Sequence, residues 1–193
     1  MQEILKEASL NAKRYLSNEW VKWIHGGSKP AYTHEEKAAN AVAGSIGKHC
    51  AICLNLNGCC FIMDKKPIQP AHPNCHCYYE NIPIISAKAV CPVLKFTNYI
   101  FSDKYIGNGK KQLFEAWGYF IEDSEELKRQ FEKQAKKQYE LGEYELGLLN
   151  GYGQRININI TLKNKKTGAD ITFYSGWMVY PDGKIDLTTP YGG

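Results

Sequence analysis

"RININITLKNKKTGADITFYSGWMVYPDGKIDLTTP", residues 155–190, decides the fold class. In its first eight residues Ile156, Ile158, Ile160 and Leu162 alternate with polar side chains. An extended chain with that period has one apolar face and, here, a second face carrying the asparagines. "KNKKTGAD" reads as a turn, "ITFYSGWMVY" as a second strand, "PDG" as a tight turn and "KIDLTTP" as a third strand. The segment is therefore an antiparallel meander.

Helical periods precede it. Asp123-Ser-Glu-Glu126 has the form of a capping signal, and Leu127, Phe131, Ala135 and Tyr139 then recur every four residues, which predicts a helix of about four turns. "KKQLFEAWGYF" at 110–120 reads as helical until Gly118, "YIGNGKK" at 105–111 as a glycine turn, and "FTNYIF" at 96–101 as a short helix or strand. Helices flanking a meander make an α+β unit. "NIPIISAKAVCPVL", residues 81–94, has two prolines and no helical face, and reads as a join. The chain is accordingly expected to divide into residues 1–83 and 84–193.

The first unit opens with "QEILKEASLNAKRYLSNEWVKWI", where Ile4, Leu5, Ala8, Ala12, Tyr15, Leu16, Trp20 and Trp23 predict an amphipathic helix stopped by "HGG" at 25–27. A second helix is expected from Thr33, where Thr33-His-Glu-Glu36 forms a capping box, to about Ile46. The 193 residues carry a net charge of +4, shared evenly on either side of residue 83, so no basic domain announces nucleic acid. No run of 18 apolar residues suggests a membrane span, and the opening residues do not resemble a secretory signal. The expected location is a reducing cytoplasm.

Residues 49–79, "HCAICLNLNGCCFIMDKKPIQPAHPNCHCYY", hold six of the seven cysteines and three of the five histidines. In a reducing compartment such clustering points to a metal before disulfides. Cys50-x2-Cys53 has knuckle spacing, His72-x2-Cys75 repeats it, and Cys77 would share a face with Cys75 on an extended backbone. Five candidates thus compete for the four places around a structural zinc ion, with Cys50, Cys53 and Cys75 firmest and His72 and Cys77 alternatives for the fourth. Cys91 and one or both of Cys59 and Cys60 read as small buried side chains, and the adjacent pair, which rarely reaches one metal together, is left out of the site.

The run Cys50-x2-Cys53, Leu56-Asn57-Gly58, Phe61, Pro70 and His72-Pro73-Asn74-Cys75-x-Cys77 resembles the end of the Mu-type phage minor head, or head-morphogenesis, proteins. The likeness covers residues 33–79. His76 stands where that family usually has arginine, and most of the long helical body preceding the motif is absent. The resemblance implies a terminal zinc module, often followed in that family by an unrelated, toxin-like domain.

Residues 95–191 are similar to C-terminal domains of bacterial polymorphic and contact-dependent toxins, through "KFTNYIF", the glycine turn before Lys111 and Phe114, "WGY", and the closing strands. That resemblance implies a nuclease-like activity and an immunity protein as partner, with Tyr105 where such sequences often carry histidine. No histidine follows residue 76. From the chemistry of the residues themselves, Gly107-Asn108-Gly109-Lys110-Lys111 at a helix start offers N–H groups and ammoniums to a phosphate. Thr188 and Thr189 would face the same groove and Trp177 would stack a base. The bland readings, which the residues favour, are an ordinary turn for the loop, a sheet end for the threonines and a core position for Trp177. The functional expectation is a metal-independent ribonuclease toxin with Lys111, Thr188, Thr189 and Tyr105 in catalysis and Gly109, Lys110 and Trp177 on RNA. The alternative is a non-enzymatic protein that binds a phage head or host protein.

Overall fold

A computed structural model describes residues 19–46, 50–103 and 109–192. The first part builds a small sheet in the order β2-β1-β3, from β1 (Trp20–Ile24), β2 (Cys60–Ile62) and β3 (Tyr78–Ile82), with both neighbours antiparallel to β1. Between β1 and β2 come two helices, α1 (His34–Ile46) and α2 (Ala51–Leu56). The expected helix over residues 2–24 is therefore corrected at its end, since residues 20–24 are a strand, and residues 2–18 lie outside the described residues. The reason is physical. Trp20 and Trp23 point to opposite faces of β1, one edge-on to Tyr139 at 5.4 Å and the other to Tyr79 at 5.1 Å. A strand covered on both faces shows no alternation, and a three-residue spacing of tryptophans imitates a helix stripe. The second helix does start with the expected capping box, as Glu36 N–H donates to Thr33 Oγ1 (3.1 Å) and Thr33 N–H to Glu36 Oε2 (3.0 Å).

The second part has a five-stranded sheet in the order β4-β8-β7-β6-β5. Its elements are β4 (Lys88–Val90), α3 (Lys110–Ala116), α4 (Ser124–Glu140), β5 (Glu145–Asn150), β6 (Gly153–Lys163), β7 (Asp170–Val179) and β8 (Lys184–Thr189). The fold class is α+β. The predicted meander is β6-β7-β8, with β6 burying Ile156, Ile158, Ile160 and Leu162 under α4, whose Leu127, Phe131, Ala135 and Tyr139 are buried in turn. Two strands extend it beyond the expectation: β5 pairs antiparallel with β6, and β4, inside the predicted join, pairs parallel with β8. The N–H groups flanking β4 are taken by side chains of α4, Ala87 by Glu140 (2.9 Å) and Cys91 by Glu132 (3.0 Å). "FTNYIF" becomes a π-helical turn at Phe96–Ile100. The Asp123–Glu126 pair does not form a reciprocal box. Asp123 accepts the Phe120 N–H instead, and both carboxylates bind Lys165 at 2.9 and 2.7 Å.

One apolar core runs through both parts, from Trp20 to Leu187. Tyr139 Oη donates to Cys60 O, Tyr144 Oη donates to Lys65 O (2.9 Å) and accepts the Ile62 N–H (3.1 Å), and Asn55 Nδ2 donates to Gly151 O (2.7 Å). At Gly58 (φ +81°) the two parts touch: Asp182 N–H donates to Gly58 O (3.0 Å), and a Cβ on Gly58 would lie 2.9 Å from Pro181 Cβ.

Candidate functional site

Cys50 caps the start of α2 and Cys53 follows one turn later, so both thiols leave the same face of a short helix. The second pair sits on a tight turn in which Cys75 N–H donates to His72 O (3.2 Å) and Asn74 takes the left-handed conformation (φ 61°). Cys77 lies at the entrance to β3. These three pieces converge. Cys50, Cys53 and His72 place their ligand atoms within 4.8 Å of one another, and so do Cys53, Cys75 and Cys77, so Cys53 is common to both groups. Cys53 Sγ is 3.1 Å from His72 Nε2 and 3.6 Å from Cys75 Sγ.

These separations suit a metal. A tetrahedral ion with bonds of about 2.0–2.3 Å to nitrogen and sulfur sets ligand atoms roughly 3.5–3.8 Å apart. All the cysteines are free thiols. His72 Nδ1 lies 2.7 Å from Pro73 O, which assigns its proton to that nitrogen and leaves Nε2 with a lone pair toward the cluster. Burial pushes Cys53 far above the usual thiol range, with hydrogen bonds to Cys77 and Cys75 adding to it, and burial also raises Cys77. Burial acts to raise Cys75 as well, but N–H groups of Cys77 and Ala71 hold it below the ordinary value. The cluster has the ligands and geometry to hold a metal ion. Cys59, Cys60 and Cys91 are fully buried in the core, and burial pushes the Cys60 thiol up to about 12.

The residues expected to bind and cut RNA are less well gathered. Tyr105, Gly107 and Asn108 lie outside the described residues. Gly109 (φ 69°) opens α3, and Lys111 is paired with Asp103 at 2.5 Å, a carboxylate that neutralises it. Lys110 donates to Tyr99 Oη (2.9 Å), and Tyr99 lines a groove with Lys95 and Thr188. Thr188 Oγ1 donates to Gly176 O (2.8 Å), and Thr189 Oγ1 accepts from Arg155 Nη2 at 3.4 Å. Trp177 corrects the expectation outright. It is fully buried with Nε1 donating to Ser175 Oγ (2.8 Å), so it has no face to offer a base.

Thr188 and Lys95 also line a second cavity, of about 400 Å³, between the start of α1 and the end of β8. His34 and Tyr152 stand at it with near-parallel rings, 17° apart with centroids at 6.1 Å. Deeper lie Lys37, 1% exposed, whose Nζ donates to Asn55 O (2.5 Å), and Asp186. Burial lowers the Lys37 ammonium and raises the Asp186 carboxyl. An imidazole thus reaches the C-terminal sheet from residue 34. No signal in the linear sequence pairs His34 with Thr188, because only the packing of α1 on the sheet end brings them together.

Residues 83–192 match the family described as a domain of unknown function (DUF6883). The chain belongs to the DUF6883 family. The family's span contains β4 to β8 with α3 and α4, while the cysteine cluster, His34 and Lys37 precede it. In this DUF6883 protein one wall of the cavity is therefore contributed from outside the family domain. No curated protein and no solved structure matches the chain.

Proposed function

We propose that the cluster holds one structural zinc ion, in a phage- or prophage-derived protein whose DUF6883 domain acts on RNA as a toxin-like ribonuclease. The observation that carries the zinc reading is the position of Cys53, 3.1 Å from His72 Nε2 and 3.6 Å from Cys75 Sγ, with Cys50 and Cys77 beside it. Soft sulfur and imidazole ligands in excess of three suit zinc and close its shell, which makes the ion a clasp and leaves it no open position for chemistry. Its residues would tie α2, the 72–75 turn and the entrance to β3 together. Protein purified without chelator should contain about one zinc per chain, and cobalt in its place should give the visible absorption of a tetrahedral thiolate site. Metal-free protein with all thiols reactive and an unchanged melting temperature would overturn the reading.

The support for RNA is the groove that joins Lys95, Tyr99 and Thr188, with Lys110 on the Tyr99 hydroxyl: ammoniums for phosphate beside an aromatic face. The phage origin is supported by the Cys50–Cys77 motif. A second reading, a non-enzymatic protein that binds a phage head or host protein, is favoured by the burial of Trp177 and the pairing of Lys111 with Asp103. Expression of the full chain in bacteria separates them. Growth arrest with cleaved RNA, relieved by an immunity protein, supports the enzyme, whereas unharmed cells and a captured head or host protein support the alternative.

A further inference from the structure

The cavity between α1 and the end of β8 combines four features that the metal centre does not use. Its floor is apolar, with Met178 9% and Leu187 3% exposed. Its mouth carries the two flat faces of His34 and Tyr152, both open to solvent. On its wall, Lys95 directs its ammonium to Thr188 O at 3.0 Å, which occupies one of three N–H donors. Asp186 supplies the fourth feature: Oδ2 accepts from Lys184 at 2.9 Å, while Oδ1 is buried and has no hydrogen-bond partner among the described residues.

A buried acceptor without a donor is costly, and a ligand N–H that meets Oδ1 as the Asp186 side chain turns into the cavity recovers the loss. The aromatic faces and the apolar floor ask for a flat ring, and the wall ammonium asks for an anion. One ligand class joins all three requirements at the scale of a cavity of about 400 Å³. We propose that this cleft binds one nucleotide unit whose base carries an amino group (adenine, guanine or cytosine), with the base against His34 and Tyr152, its amino N–H donated to Asp186 Oδ1 and its phosphate met by Lys95. The proposal rests on the RNA reading above and extends its recognition site from the groove of Lys95, Tyr99 and Thr188 into the adjoining cleft, whose mouth is built partly by α1. Base discrimination then resides in Asp186, and affinity for the phosphate in Lys95.

The test uses the full zinc-loaded chain and the four nucleoside 5′-monophosphates, with dissociation constants from calorimetry or from NMR titration. AMP, GMP and CMP should bind more tightly than UMP. Asp186→Asn, which keeps the side-chain shape, should remove that preference, a change of roughly tenfold, as one charge-assisted hydrogen bond is lost. Lys95→Gln should weaken the nucleotides and leave the corresponding nucleosides unchanged. His34→Ala and Tyr152→Ala should weaken all four, with melting curves recorded to verify folding. If no monophosphate binds, or if all bind equally well to the four variants, the cleft assignment is wrong. If monophosphates bind through the cleft while RNA is left intact, the cleft stands and the ribonuclease reading falls. If the cleft variants cleave RNA as the wild type does, the ribonuclease reading stands and the cleft falls as its recognition site.

Discussion

Asp186 is held in a place that disfavours its charge. Burial raises its carboxyl above the ordinary value of 3.8, although Lys184, Lys88 and Lys37 act to lower it. Between the unfolded value and the raised one the folded protein binds more protons, so stability falls as pH rises through that window. Asp186→Asn removes the titration. The variant should melt above the wild type at pH 7, on the order of 1–3 °C after allowance for the part of the side chain that water still reaches, and the difference should vanish below about pH 3.8. A melting temperature unchanged at pH 7 would count against the burial account. Gly58 is a second residue under constraint. Its left-handed conformation and the 2.9 Å approach to Pro181 mean that Gly58→Ala should cost about 1–3 kcal/mol, read from urea denaturation. Residues of this kind divide in how far the sequence reveals them. The cysteines and His72 are legible because their spacing is local, whereas Asp186 and His34 take their meaning from neighbours some 150 positions away, and the burial of Trp177 likewise depends on how distant elements pack.

Among the elements, those that pack one face on the core announce themselves. β6 alternates because Asn157 and Asn159 turn away from the buried isoleucines, and α4 repeats every four residues because only one stripe meets the sheet. β1 is covered on both sides and β4 has three residues, so neither has a period to read. Ile158→Ala should cost about 2–5 kcal/mol, measured by equilibrium denaturation, since the side chain is fully buried beneath α4. Tyr139→Phe isolates a different link. It removes the hydrogen bond from α4 to the Cys60 carbonyl of β2 and leaves that buried oxygen unpaired, a loss of about 1–3 kcal/mol. An effect well below that range would mean that the hydroxyl contributes little to joining the two sheets.

At the scale of the molecule, the join expected near residues 81–94 coincides with the start of the family domain at 83, but the core passes beneath it. Trp20 covers Tyr139, and Ile62 and Lys65 bind Tyr144. If the cluster holds the proposed zinc, its removal by a strong chelator should therefore lower the single melting transition of the whole chain instead of splitting it in two, because the β2-β1-β3 sheet roofs the domain beneath. Two well-separated transitions in calorimetry would show the parts to be independent. The ladder between β4 and β8 carries one more consequence, for the order of events in folding. Its register joins Lys88 to Lys184, and closing a loop of roughly a hundred residues costs about 4 kcal/mol of chain entropy, while β6 and β7 meet through a short turn. The meander can therefore form early and β4 must arrive late, drawn in by Glu132 and Glu140 of α4. In pulse-labelling exchange during refolding, the Lys88 amide, which donates to Gly183 O at 3.1 Å, should gain protection after that of Ile160. Until that moment the half that carries the cysteine cluster is tethered to a nearly finished domain without yet being part of it, and any chaperone or protease that meets the nascent chain meets it in that state.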